Sequence, residues 1–162
     1  SANIRIANHQ GDNREARQAM LLGACLAGQA FANAPVAAVH ALAYPLGGRY
    51  HIPHGLSNSL VLPEVLRFNA PEAAHWYADL APHILGDQPL AGDDRAITEQ
   101  LISYFKQLID DLGLPGSLRE MDIPQSMLPT LAEDAMLQQR LLVNNPRPVY
   151  QADALSIYQA AW

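Results

Sequence analysis

Apolar residues recur along this 162-residue chain at the spacing of a helix, and nowhere alternate over a useful length as a strand requires. The clearest stripe runs from Asp93 to Leu112, where Ile97, Leu101, Tyr104, Phe105, Leu108, Ile109 and Leu112 share one face and Gly113 ends the pattern. Without period-2 runs no sheet can bury a face. The expected fold is therefore all-α, a bundle of about seven or eight helices forming a single domain over residues 1–162.

The punctuation of the chain sets the expected elements. Ser1 to Gln10 shows little periodicity. Asp12 reads as the N-cap of a helix that begins at Arg14. From Leu21 this helix is apolar on every side, with the small residues Gly23, Ala24, Ala27, Gly28 and Ala30, which is the pattern of a buried helix. Val36 to Tyr44 forms a second helix that Pro45 and Gly47-Gly48 are expected to stop. Arg49 to Ile52 is the one plausible extended piece. Gly55 to Asn69 reads as a buried helix kinked at Pro63, and Pro71 opens a separate helix over Glu72 to Leu85. Further on come a short helical turn at Ser117 to Met121, a helix from Gln125 to Leu142 containing Pro129, a rigid loop at Asn144 to Pro148, and a closing amphipathic helix at Gln151 to Ala161.

Charge and composition narrow the function classes. Ten Lys+Arg against sixteen Asp+Glu give a net charge of −6, which argues against nucleic acid and against an anionic membrane surface as partners. Only 16% of residues are charged while 49% are hydrophobic, with many Ala and Leu, so much of the surface is expected to be covered by another domain or a second copy. Cys25 is the single cysteine, which excludes an internal disulfide and makes a reducing compartment the default. The most apolar stretch, Ala19 to Val39, is interrupted by Gly23, Gly28, Gln29, Asn33 and Pro35, and no basic segment followed by an apolar one stands at the start. The expectation is a soluble, cytoplasmic protein.

Six histidines are available for chemistry. His9, His75 and His83 lie in contexts that suit solvated or partly buried side chains. His40 interrupts the apolar run Val36-Ala37-Ala38-Val39, where an unpaired imidazole is costly to bury, and His54 stands between Pro53 and Gly55 at the start of another apolar helix. A bend at Pro45 and Gly47-Gly48 can turn these two histidines toward one spot, and convergent neutral imidazoles suit a divalent first-row metal. Three readings stay open on the residues alone: half of a metal site, two core histidines satisfied by carbonyls in a helical interaction module, or a small metalloprotein using His40, His51 and His54 without a nucleotide.

The strings Ala27-Gly28-Gln29-Ala30-Phe31-Ala32-Asn33, Val39-His40-Ala41-Leu42-Ala43-Tyr44-Pro45-Leu46-Gly47-Gly48, Ile52-Pro53-His54-Gly55-Leu56-Ser57-Asn58-Ser59 and Leu62-Pro63 resemble the iron-containing (group III) alcohol dehydrogenases. Glu15-Ala16-Arg17 and Asn145-Pro146-Arg147 are similar to that family as well. The resemblance implies that the chain is the helical C-terminal domain, of the dehydroquinate synthase-like kind, of a two-domain dehydrogenase. It makes His40 and His54 two of four ligands to Fe(II), sometimes Zn(II), the others being an Asp and a His upstream of Ser1. The reaction implied is reversible NAD(P)-linked hydride transfer between an alcohol and an aldehyde or ketone, with the metal as Lewis acid. NAD(P) would be held mainly by an N-terminal nucleotide-binding domain, whose Gly-rich loop is absent from this sequence. Two imidazoles are few for a selective site, so the chain by itself is expected to be inactive. The family resemblance further implies a small-molecule alcohol or carbonyl substrate and a homo-oligomer.

Further residues are singled out. Many relatives carry a histidine four residues after the first ligand, where this sequence has Tyr44; a phenol can donate to a substrate oxygen but is a poor base near neutral pH. His51, three residues before His54, could take over part of that histidine's proton transfer. Phe31 matches an aromatic beside the nicotinamide in relatives, Ser57 and Asn58 could line the pocket, and Asn145-Pro146-Arg147 fits a loop-fixing role.

Overall fold

The computed structural model describes all of residues 1–162 and contains eight α-helices, two short 3-10 turns and no strand. In chain order these are α1 (Ile4–His9), α2 (Arg14–Asn33), α3 (Ala38–Tyr50), α4 (His54–Leu85), α5 (Asp94–Asp111), the 3-10 turns Arg119–Met121 and Gln125–Met127, α6 (Leu128–Met136), α7 (Gln139–Leu142) and α8 (Gln151–Ala160). No single helix is long and apolar enough to cross a membrane.

The main core lies among α3, α4, α6 and α8, built on Leu42, Leu46, Val61, Val65, Leu131 and Tyr158, all essentially inaccessible. Tyr158 on α8 donates its buried hydroxyl to the Leu42 carbonyl at 2.6 Å, fixing α8 to α3, and burial pushes its phenol far above the ordinary value. The end of the chain is tied down by Leu118 N–H to Ala161 O at 2.8 Å and Trp162 Nε1 to Ile123 O at 2.7 Å. A smaller core of Ala81, Leu85, Leu101 and Tyr104 joins the far half of α4 to α5. The same pair of helices is bridged by Glu64, 7% exposed, which takes Arg67 at 2.6 Å and Lys106 at 2.7 Å. The stripe on α5 folds as expected: Asp93 caps it, accepting from Ala96 N–H at 2.9 Å, and Gly113 at φ +67° leaves it.

Several sequence expectations are corrected. The opening is ordered: Ile4–His9 is helical, and Arg5 reaches Asp111 at 2.7 Å and stacks over the Tyr104 ring. The α2 cap is Asn13 rather than Asp12, its side chain accepting from Ala16 N–H at 3.1 Å. Pro45 and the two glycines do not stop α3, which runs on to Tyr50 and leaves Arg49–Ile52 without extended strand. Likewise α4 is one helix of 32 residues through Pro63, Pro71 and Pro82, not two. A proline removes one N–H from the ladder, and where a buried face is packed on both sides of it the helix continues. Gln125 to Leu142 divides in the opposite sense, because Pro129 at a helix start and the turn at Leu137–Gln138 separate a 3-10 turn, α6 and α7.

The largest correction concerns α2. The helix that is apolar on every side is the least covered in the molecule: only Ala16 is buried, while Leu21 is 73% and Leu22 is 61% exposed. Beside it, α1, Leu112 and Leu114 border an open trough of about 790 Å³ whose wall includes Met20, Leu21 and Ala24. Residues 1–162 supply no layer to close over it, and that is the physical reason the expected burial does not appear.

Candidate metal centre

The site is built from two helix ends that meet across a tight turn. His40 lies in the first turn of α3 and Tyr44 one turn further on; His54 is the first residue of α4 and Asn58 one turn further on. Each pair is spaced i, i+4, so each projects from one face of its helix. The connection is held by His51, which ends α3 in the left-handed region at φ +56° with its N–H on Gly47 O at 3.0 Å. Buried Ser57 donates to Ile52 O at 3.2 Å and locks the turn to α4 from the other side.

The two faces converge. The His40 and His54 rings lie 5.1 Å apart between centroids, tilted by 55°. Tyr44 joins them, 5.9 Å from His54 and 6.5 Å from His40. Asn58 Nδ2 stands 3.4 Å from His40 Nε2 and 3.2 Å from His54 Nε2, so both ring nitrogens face one point. Burial first, and then the neighbouring His54, hold the His40 imidazole below its ordinary pKa, which keeps it in the neutral, ligating form.

Two imidazoles directed at one point fit a divalent first-row cation. Asn58 Oδ1 is buried without any hydrogen-bond partner. No third His, Cys, Asp or Glu within the chain completes a ligand group, so these residues make up part of a site. A cavity of about 450 Å³ opens beside them, walled by Val39, His40, Asn58, Leu62, Leu66 and Tyr77.

Other expected site residues stand apart. His51 is exposed and outside the ring cluster of His40, Tyr44 and His54; its visible work is in the backbone of the turn. Phe31 is 57% exposed near the end of α2. The Asn145 loop is clamped to α4: Asn145 exchanges hydrogen bonds with Asn69 at 2.7 and 3.1 Å, and Arg147 donates to Phe68 O at 2.7 Å while lying over its ring. Asn58 is the residue whose central position the sequence reading underrated. Counting one helical turn on from each histidine points to Tyr44 and Asn58 together.

The model of the Fe-containing alcohol dehydrogenase family, C-terminal, matches residues 1–162. The chain belongs to that family. It is a C-terminal domain of that family. Long-chain-alcohol dehydrogenase 1 of Geobacillus thermodenitrificans (strain NG80-2) is 39% identical over 162 residues, which are 100% of this chain and 41% of that protein. The 1,3-propanediol dehydrogenase of Klebsiella pneumoniae is 34% identical over 160 residues, 99% of this chain and 41% of its own length. Among solved structures, an alcohol dehydrogenase from Oenococcus oeni superposes with a TM-score of 0.93 at 34% identity, covering 99% of this chain and 42% of that one. A 1,3-propanediol oxidoreductase superposes at 0.92, also at 34% identity, again over 99% of this chain and 42% of that structure's chain. The chain thus spans about two-fifths of the length of these relatives, and the eight helices described above are the fold of the iron-containing dehydrogenases' C-terminal part.

Proposed function

We propose that this domain supplies His40 and His54 as two ligands of a catalytic divalent metal, Fe(II) or Zn(II), in an NAD(P)-dependent alcohol dehydrogenase. The observation that carries the proposal is the convergence of the two Nε2 atoms on one point across the α3–α4 turn. Family membership supports a metal and a nicotinamide cofactor as the partners of that geometry. When bound, such a metal polarises an alcohol or carbonyl oxygen and lowers the alcohol's pKa, so that hydride can pass to or from the nicotinamide.

The chain's own residues divide the remaining tasks. His40 and His54 hold the cation from two helix ends whose positions the main core fixes. Tyr44, ring to ring with both, presents a hydroxyl that can donate to the substrate oxygen. His51 serves the turn, and we assign it no proton transfer because it stands outside the cluster. Phe31, exposed near the end of α2, is assigned to the nicotinamide side of the cleft.

The missing ligands and the nucleotide site are assigned to the part of the family's length that this chain does not span. The same part is the proposed cover for the apolar face of α2. On this reading residues 1–162 alone bind metal weakly and do not turn over an alcohol. The test is metal content and NAD(P)-linked alcohol oxidation by the longest natural chain that carries residues 1–162, with and without His40→Ala. The variant is expected to lose both metal and turnover; a His40→Ala protein that keeps both removes the assignment.

A further inference from the structure

The metal reading leaves one feature unexplained, and the following rests on that reading. Asn58 places a single amide nitrogen against both candidate ligands and buries its oxygen with nothing to accept. An amide nitrogen only donates, with one hydrogen for each ring, so both Nε2 atoms must offer lone pairs. With both bonds made, His40 and His54 are Nδ1–H tautomers, the form that ligates through Nε2.

We propose that Asn58 is a positioning residue with two settings: its NH2 holds both imidazoles in the ligating tautomer while the site is empty, and the amide turns over when a divalent cation enters. The turn follows from charge. Amide hydrogens aimed at the meeting point of two Nε2 atoms would oppose a cation placed there, whereas the partnerless Oδ1 is an oxygen that a cation attracts. The turn brings a partnerless acceptor to the cation and gives up hydrogen bonds that the cation itself displaces. Because Asn58 follows His54 by four residues on the same helix, no backbone movement is needed for either setting.

The experiment uses the longest natural chain that carries residues 1–162, stripped of metal, as wild type and as Asn58→Leu, Asn58→Asp and His40→Ala. Ring nitrogens are read by NMR on 15N-histidine-labelled protein, and Co(II) affinity by optical titration against a competing chelator. In the metal-free wild type, His40 and His54 should both carry the proton on Nδ1. Asn58→Leu, which fills the space without donating, should release that tautomer and weaken Co(II) binding about tenfold. Asn58→Asp should tighten it, since a carboxylate at that point adds a negatively charged oxygen beside the two imidazoles. A packing role alone would not move the tautomer, nor give the two substitutions opposite signs. Protons on Nε2 in the metal-free wild type would overturn the inference, a result that needs no variant to fold. So would an Asn58→Leu protein unchanged in both readouts, or an Asn58→Asp protein that binds no tighter, while His40→Ala loses the metal. A wild-type protein that takes up no Co(II) would instead overturn the metal reading, and this inference with it.

Discussion

Helices α2 and α3 are both rich in Ala, Leu and Gly, and they end in opposite surroundings. Six of the thirteen residues of α3 are buried, against Ala16 alone among the twenty of α2. The difference is in what lies beside them: α3 is enclosed by α4, α6 and α8, whereas α2 shares little more than α1 with the rest of the chain. An apolar surface all round a helix therefore announces that the helix is meant to be covered, without saying that the same stretch of chain supplies the cover. The candidate metal site obeys the same division. Its two imidazoles stand on the helices that form the main core, and Phe31 stands on the uncovered one.

The comparison can be broken most sharply with paired leucine truncations. Leu131→Ala empties a fully buried position and should cost about 2–5 kcal/mol in denaturant unfolding. Leu22→Ala, at 61% exposure, should change stability by less than about 0.5 kcal/mol when made in residues 1–162. Placed in the longest natural chain, the same Leu22→Ala should approach the Leu131 value if α2 is covered there; equal small effects in both settings would refute the cover.

A second test sharpens the claim that α3 is rigidly seated. Tyr158→Phe removes the bond to the Leu42 carbonyl and should cost about 1 kcal/mol, with no effect expected on any property of α2. The smallest effect is expected at the rim. Arg49 bonds to Asp134 between α3 and α6, and that hydrogen bond, outweighing partial burial, holds the Asp134 carboxyl below its ordinary 3.8. Because the folded-state pKa is depressed, the pair's stabilisation is present above the ordinary carboxylate pKa and is lost as pH falls through the lower folded value. Asp134→Asn should therefore lower neutral-pH stability slightly, leave stability at acid pH nearly unchanged, and so flatten the acid limb of the stability curve.

How far the sequence carries the reader varies by element. In α5 the stripe, the Asp93 cap and the terminal Gly113 agree, and the helix forms between the expected ends. Pro45 and Pro71 mislead, since the backbone cost of a proline is local while the decision to continue is made by packing on both flanks. The nearness of His40 and His54 was legible, but the turn that produces it lies at His51–Pro53 and not at the expected Pro45 and Gly47-Gly48. His51 shows the limit of spacing arguments: three residues before His54 places it across the left-handed turn rather than on the same helix face. Asn58 is reached by counting one turn on from His54, whereas the exposure of α2 depends on surroundings that no periodicity specifies.

The most direct test of the account is X-ray absorption at the metal edge of the longest natural chain carrying residues 1–162, compared with its His54→Ala variant at matched metal loading. The wild type should show imidazole scattering from the bound ion that falls by one ring in the variant, together with weaker retention of the metal. An unchanged imidazole signal and undiminished metal content in His54→Ala would show that the two rings do not share an ion.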